Sequence, residues 1–595
     1  TTLLKTITMW KVSLKVLIRA QLVILSLLLS VSLIGAAPDA DEIKVLPGYG
    51  VPPTPQWSGF LDAGKGTKLH YWMAAAEADD WTTKPVVLWL NGGPGSSSLL
   101  GMLQEQGPLL FGREIDSNGD NSTSESPDGK DSKRFLFKNP YAWTKLANLV
   151  AVESPAGVGY SYCKESLDGK PCHNDDISTA KDLHAALQDM FATKFPELIH
   201  QDFFITGESY AGVYCPTLAK EILDANDDPA TKTKINLVGM AVGDPCTDND
   251  SQEKAFDMLW YGHKYGFVPD DEFHLLYNKC GARYTHVLGQ SVWSVPEGGE
   301  KSFLKTPTVK FQSSSASRRL GSDSSTSSTK LDLVSDECKL ANRKFLMQTS
   351  KAFSQEWKHG FINDLTLFGS FAIVGNNQKG SLNYRMTQWM ISDEVQEALH
   401  VTESPATEWP GPSDGWTYAS NYTACNENPT DSRSMIDFYQ NIAPRIKGTV
   451  LIYNGDTDPC VTYEGTRTAI ERVGFDQTPG GSYRPWFYNA TADSCELLNE
   501  KDVLFGPALS LQAAGPQFAG HVTDYEHGLS FCTVHGSGHM VPQFRPRAAL
   551  RMLAGVLTNT LLSPNLAADT EMLEMKESEY DDYLDQWVDK AKAWS

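Results

Sequence analysis

The residues best placed to do chemistry are Ser209, Asp458 and His539. Residues 202–216 read DFFITGESYAGVYCP: the apolar run Phe203, Phe204 and Ile205 stops at Gly207, and a helical pattern runs from Thr217 to Leu223. Strand, tight turn and helix put Ser209 at an apex, with its hydroxyl beside the positive end of the next helix. Residues 449–458, TVLIYNGDTD, form an apolar run that ends in Gly455 and reaches Asp458. Residues 533–542, TVHGSGHMVP, carry His539 after a short β-like run and a glycine-rich turn. A serine hydroxyl becomes a nucleophile when an imidazole takes its proton and a carboxylate holds the imidazole tautomer. Asp458 is the expected acid, because G-x-x-D reaches further past its strand; Asp456 reads as a turn former. The fit to G-x-S-x-G is incomplete, since Ala211 holds the last position.

All three residues lie just past the carboxyl end of a strand, where open α/β sheets place their ligands, in the chain order serine, acid, histidine that α/β hydrolases use. A fourth segment, residues 85–98, reads PVVLWLNGGPGSSS, a buried strand running into Asn91-Gly92-Gly93-Pro94-Gly95. The residues after this turn are helical in pattern, so it is not a hairpin, and its backbone N–H groups can face the site. Gly93 and Tyr210, the residue after the nucleophile, are the expected oxyanion donors.

The elements behind these turns alternate. Strands are expected at Lys68 to Met73, Pro85 to Leu90, Asn148 to Val152, Phe203 to Thr206 and Leu237 to Val242, with a helix around Thr179 to Phe195. That alternation predicts an α/β fold with a mostly parallel central sheet and helices on both faces. Residues 45–246 and 431–560 read as two parts of one core. Residues 247–430 read as an inserted, largely helical cap, and 561–595 as an acidic C-terminal extension, docked or solvated. Inside the cap, 312–329 reads QSSSASRRLGSDSSTSST, too polar to bury itself. Arg318-Arg319 offers a dibasic processing site there; a two-chain form split near residue 319 and an uncut loop both stay open.

Composition narrows the partners. With 51 basic and 73 acidic residues the net charge is −22, which disfavours nucleic acid and anionic membranes and suits an acidic lumen. Residues 1–37 read as a secretory signal: Met9 is the expected start, 1–8 an artefact of translation, and Leu22 to Ile34 the apolar run before Gly35, Ala36 and Ala37. No membrane association is expected after its removal. Ten cysteines then predict disulfides, with Cys163–Cys172 and Cys280–Cys338 as candidate pairs. Asn121, Asn249, Asn421 and Asn489 stand in glycosylation sequons. No HExxH, CxxC pair or GxGxxG is found, so neither metal nor organic cofactor is implied.

The phrases VVLWLNGGPGSSS, LVAVESPAGVGYSY, FFITGESYAGVY, LIYNGDTD and HGSGHMVPQFRP resemble the serine carboxypeptidase family across roughly residues 45–560. That resemblance implies an α/β-hydrolase fold. It also implies that Asn91 and the N–H of Gly92 bind the substrate's terminal carboxylate, with Glu105 and Glu208 completing the clamp and Trp89 beside it. Leu100, Gln104 and Met540 match positions that line the leaving-residue pocket. The family usually has cysteine at Ser96, paired with the cysteine that best matches Cys425, so Cys425 is expected to pair elsewhere or stay free. Asp244 stands where asparagine is common, and Cys215 where a small apolar residue is common; neither is expected to touch the catalytic trio. The state of Cys460 is left open.

The expected protein is a secretory-pathway serine carboxypeptidase, vacuolar, lysosomal or secreted. It would release C-terminal residues of peptides and proteins through an acyl-enzyme at acidic pH. Its oligomeric state is left open, a homodimer included. Two rivals stand beside it: a carboxypeptidase-like acyltransferase, disfavoured by the presence of Glu208, and a non-catalytic protective or binding subunit, disfavoured by the intact trio.

Overall fold

The computed structural model describes residues 37–115, 134–252, 258–266, 268–287, 290–294, 336–346, 382–411, 415–426, 428–458, 460–490 and 514–595. The signal sequence, Asn121, the 312–329 stretch with Arg318-Arg319, and Cys495 lie outside the described residues.

Among the described residues, ten strands form one sheet: β1 (Gln56–Gly64), β2 (Thr67–Ala74), β3 (Val86–Leu90), β4 (Asn148–Val152), β5 (Phe203–Glu208), β6 (Leu237–Gly243), β7 (Val450–Gly455), β8 (Arg484–Ala490), β9 (Gly515–Asp524) and β10 (Leu529–Val534). Their spatial order is β1-β2-β4-β3-β5-β6-β7-β10-β9-β8. The six central strands, from β4 to β10, pair in parallel, and antiparallel hairpins close both edges. The five interior sequence-predicted strands appear within a residue or two of their expected limits. β1, β8 and β9 were not foreseen, because they belong to the hairpins at the sheet's two edges and lack the continuous apolar run that marks a strand buried on both faces.

Side-chain alternation sorts the sheet into two cores. Leu88, Val150, Ile205, Val242 and Ile452 point to one face, where they meet α2 (Asp176–Asp189), α3 (Ala211–Asp227) and α4 (Met435–Ile442). Val87, Trp89, Leu149, Phe204 and Leu451 point to the other, against α1 (Leu99–Gln104) and α5 (Pro546–Thr558). Helices thus cover both faces of a mostly parallel sheet, as α/β folds require.

β6 and β7 are neighbours, Val450 opposite Met240, although some two hundred residues lie between them in sequence. The described part of that excursion includes helices Met258–Lys264, Asp336–Leu346, Leu382–Met390 and Asp393–Ala398, and a disulfide between Cys280 and Cys338. Cys163 pairs with Cys172. Cys425 is not free: it pairs with Cys246, just past β6, and ties the returning chain to the sheet. With Ser96 unable to supply a sulfur, Cys246 takes the role of partner. Cys215, Cys460 and Cys532 are free thiols.

The acidic extension is helical and docked. α6 (Glu577–Ala593) lies along β8 with Trp587 and Ala591 buried; the Trp587 indole donates to the Asn565 carbonyl at 3.2 Å. Among the described residues, no helix is long and apolar enough to cross a membrane.

Candidate active site

The turns at the carboxyl ends of the six parallel strands each carry part of the site. After β5 the chain turns at Ser209, whose φ of 63° is left-handed. Such a conformation costs roughly 1–2 kcal/mol in a non-glycine residue and persists only where neighbours hold it. Ser209 N donates to the Gly243 carbonyl at 2.9 Å, and Ser209 O accepts from Cys246 N at 3.0 Å and Gly212 N at 2.9 Å. The incomplete glycine motif has a steric explanation. A Cβ on Gly207 would lie 2.6 Å from the Ala211 methyl, and one on Gly212 would lie 2.3 Å from the Cys246 carbonyl oxygen. The second tight approach falls at Gly212, so Ala211 is tolerated. α3 starts at Ala211 and points its N-terminal end at the serine.

The acid and histidine turns are fastened to each other. Thr457 N and Oγ1 both donate to the Ser537 carbonyl, at 3.0 and 2.7 Å, and a Cβ on Gly455 would lie 2.2 Å from the Gly538 carbonyl oxygen. Asp456 does more than form a turn: its Oδ1 accepts from Gly536 N at 2.6 Å and its Oδ2 contacts His535 Nδ1 at 2.7 Å. Asp458 Oδ2 faces His539 Nδ1 at 2.7 Å, with both residues buried. Asp458 also accepts from Cys460 N at 2.8 Å and Val461 N at 3.2 Å. This buried carboxylate, with three donors, fixes the Nδ1–H tautomer of His539 and leaves Nε2 as the basic nitrogen.

The Asn91–Gly95 loop lies directly over the serine turn. A Cβ on Gly92 would sit 2.2 Å from Tyr210 N and 2.9 Å from Ser209 Cβ. Among the described residues, the N–H groups of Gly93 and Tyr210 find no protein acceptor, as oxyanion donors require. Asn91 is locked in orientation: its Oδ1 accepts from Trp89 Nε1 at 2.8 Å and Gly101 N at 3.0 Å, and its Nδ2 donates to Glu208 Oε1 at 2.8 Å. Trp89 is fully buried, so it orients Asn91 from below.

Glu105 and Glu208 are both buried, and neither Glu105 oxygen nor Glu208 Oε2 meets a donor. Their carboxyl groups face each other, an arrangement in which both cannot readily be ionised at once. Burial lifts Glu105 to about 8, and burial with the neighbouring Glu105 charge lifts Glu208 well above the usual carboxylate range. Gln104, also buried, donates to Met386 Sδ at 3.1 Å, Leu100 is half-buried, and Met540 is buried one residue past His539.

One residue was missed by the sequence reading and another was misjudged. Glu153 is fully buried beneath the loop and accepts from Ser97 Oγ, Tyr160 N at 2.8 Å and Trp409 Nε1 at 2.9 Å, while facing His70 Nδ1 at 2.9 Å. Its signal was an acid directly after an apolar strand, in AVESP. Asp244, expected to stand clear of the catalytic trio, instead faces Asp458: an oxygen of each and a nitrogen of His539 all lie within 4.8 Å of one another. The expectation failed because sequence distance hides that β6 and β7 are neighbours. Cys215 lies in α3, its Sγ 3.2 Å from where a Gly207 Cβ would stand.

The model of the serine carboxypeptidase family matches residues 47–559, most of the chain. The chain belongs to the serine carboxypeptidase family. The lysosomal protective protein of Mus musculus is 30% identical over 543 residues, covering 88% of this chain and 94% of its own. Serine carboxypeptidase 1 of Hordeum vulgare is 29% identical, covering 87% and 94%. Serine carboxypeptidase-like 21 of Arabidopsis thaliana is 28% identical, covering 90% and 98%. Among solved structures, a prohormone-processing carboxypeptidase from Saccharomyces cerevisiae aligns with a TM-score of 0.56 at 17% identity, over 88% of this chain and 97% of its own, a likeness of fold.

Of the sequon asparagines, Asn489 is exposed, while Asn249 Nδ2 donates to the Asn426 carbonyl at 2.6 Å and Asn421 Nδ2 to Thr430 Oγ1 at 3.1 Å.

Proposed function

We propose that this serine carboxypeptidase releases single residues from peptide and protein C-termini at acidic pH, through an acyl-enzyme on Ser209. The observation that carries the reading is the buried Asn91–Glu208–Glu105 cluster beside the serine turn. A substrate carboxylate can approach two glutamates only if protons are shared among them, and the glutamate pair retains such a proton. Asn91 and the N–H of Gly92 complete the clamp.

His539 takes the Ser209 proton as the hydroxyl attacks the last peptide carbonyl, and Asp458 balances the imidazolium that forms. Gly93 and Tyr210 N–H groups stabilise the oxyanion, with the N-terminus of α3 behind them. His539 then protonates the leaving amine, and water enters with His539 as base. Leu100, Gln104 and Met540 are assigned to the pocket for the departing residue. No cofactor takes part in this scheme. The disulfides and the sequons at Asn121, Asn249, Asn421 and Asn489 support a secretory route to the vacuole, lysosome or exterior. A cap at 247–430 over a core of 45–246 and 431–560 is part of the same reading.

Purified protein on a dipeptide blocked at its N-terminus tests it. Release of the terminal amino acid, strongest at about pH 5 where shared-proton acid pairs work, is expected. Transfer of an acyl group from an ester donor to an alcohol, with no amino acid released from the dipeptide, marks an acyltransferase, and neither activity in a folded protein marks a binding subunit.

A further inference from the structure

The proposed mechanism leaves one buried acid without a task. Asp244 follows β6, is fully buried and holds φ at 44°. Its N–H donates to the Tyr453 carbonyl at 2.8 Å. Its Oδ1 is committed, accepting from Asn454 Nδ2 at 2.8 Å and Gly455 N at 2.9 Å. Its Oδ2 meets no donor and lies against Asp458. Two buried carboxyl groups in contact cannot both be ionised, so a proton lies between them. Donor counts decide which acid keeps it. Asp458 accepts from His539 Nδ1, Cys460 N and Val461 N, whereas both donors to Asp244 converge on Oδ1. The better-solvated carboxylate carries the charge, and the proton rests on Asp244 Oδ2.

We propose that Asp244 is a positioning residue for the catalytic acid: a neutral carboxylic acid whose O–H donates to Asp458, and whose loss of that proton at rising pH shuts activity down. This rests on the roles proposed for Asp458 and His539. Electrostatics run the same way. Burial first, then the Asp458 charge, push Asp244 well above the usual carboxylate range, and Glu208 adds to the push. The titratable groups around it are Asp458 and Cys460 after β7, Tyr453 within β7, Glu208 at the end of β5, Cys532 in β10, Glu105 beyond Tyr453, and His539. No lysine or arginine is among the groups bearing most strongly on it. Ionised Asp244 would set a second negative charge against Asp458 with only the imidazole near enough to balance it. The carboxylate that aims His539 would then lose a donor and gain a repulsion.

Asparagine at 244 reproduces every bond without a titrating proton, since its amide oxygen accepts the same two donors and its Nδ2 donates to Asp458 at all pH values. Turnover is read on an ester substrate with a blocked C-terminus, so the Glu105–Glu208 clamp does not enter. Asp244→Ala is expected to lower kcat by about tenfold or more with KM little changed. Asp244→Asn is expected to recover most of that loss and to move the alkaline fall in activity upward by about one pH unit or more. Because either variant could fold poorly, infrared difference spectra between the wild type and Asp244→Asn provide a reading independent of turnover. They should contain the C=O band of a protonated carboxylic acid in the wild type, persisting above the pH range in which ordinary carboxylic acids ionise. Superimposable pH profiles, or no such band, would overturn the proposal. A folded wild type without peptidase or esterase activity would overturn the function itself, and the infrared reading would still decide the state of Asp244.

Discussion

Gly92 and Tyr210 share one small volume: a methyl on Gly92 would stand 2.2 Å from the Tyr210 nitrogen and 2.8 Å from the Glu208 carbonyl oxygen. The loop after β3 and the turn after β5 are neighbours because β3 and β5 pair in register, Leu90 opposite Gly207. The segments proposed to bind the substrate carboxylate and the oxyanion thus lie side by side. Neither can shift without the other.

Gly92→Ala is therefore expected to injure chemistry more than folding. The added methyl meets two backbone atoms and the Ser209 Cβ, so the loop must move off the serine turn at a cost of about 1–3 kcal/mol. Displacing an oxyanion donor should lower kcat by roughly 10²–10³. Thermal unfolding and steady-state kinetics on the same sample check both. Wild-type kcat in this variant would show that the contact has no catalytic weight.

Ser209→Ala should abolish turnover and covalent labelling by a fluorophosphonate, while the fold and disulfides persist. The backbone bonds to Gly243, Cys246 and Gly212 that hold the turn do not involve the hydroxyl. Loss of the nucleophile alone costs about 10⁶ in kcat in enzymes built on this trio. Retained activity with labelling at another serine would move the nucleophile elsewhere.

The central strands and the turns that carry Ser209, Asp458 and His539 were legible in the sequence because both leave local marks. A strand buried on both faces is a continuous apolar run, and a catalytic turn at its end is a glycine-rich break. The edge strand Arg484–Ala490, with Arg, Pro and Asn in seven residues, has no such mark. Pairings across the excursion were equally invisible. Asp244–Asp458 depends on β6 meeting β7, and Cys246–Cys425 on the returning chain meeting the segment after β6, relationships that exist only in the folded protein. Asp456 and Glu153 were misjudged or missed for the same reason, since their partners lie on other turns.

The Glu105–Glu208 pair predicts a stability profile with a definite sign. Their carboxyl groups are raised in the folded state, Glu105 to about 8 from an ordinary 4.5, so the folded protein holds protons that the unfolded chain releases. Stability from this source is complete below about pH 4.5 and is lost as pH rises toward about 8. Replacing both glutamates with Gln should flatten that fall in melting temperature. Peptidase activity should drop most at acidic pH, with blocked esters affected less. Parallel melting curves for the wild type and the double variant across this range would contradict a shared proton.

The Cys246–Cys425 bridge closes a span of 179 residues, which makes it the most consequential for the unfolded chain of the three disulfides among the described residues. Loop-closure entropy for a span of that size is worth about 5 kcal/mol as an upper figure, and removal of a native bridge commonly costs about 2–5 kcal/mol. The bridge has a local duty as well. Cys246 N donates to Ser209 O, and the Cys246 carbonyl packs on Gly212, so the disulfide anchors the segment that holds the nucleophile turn. Replacing Cys246 and Cys425 together with Ser should lower the denaturation midpoint and raise the susceptibility of kcat to heat. Replacing Cys163 and Cys172, which close a span of only 9 residues, should cost the unfolded chain much less. Urea unfolding followed by fluorescence and by residual activity ranks the two variants. Equal losses from both would show that the long bridge adds nothing beyond a local clip.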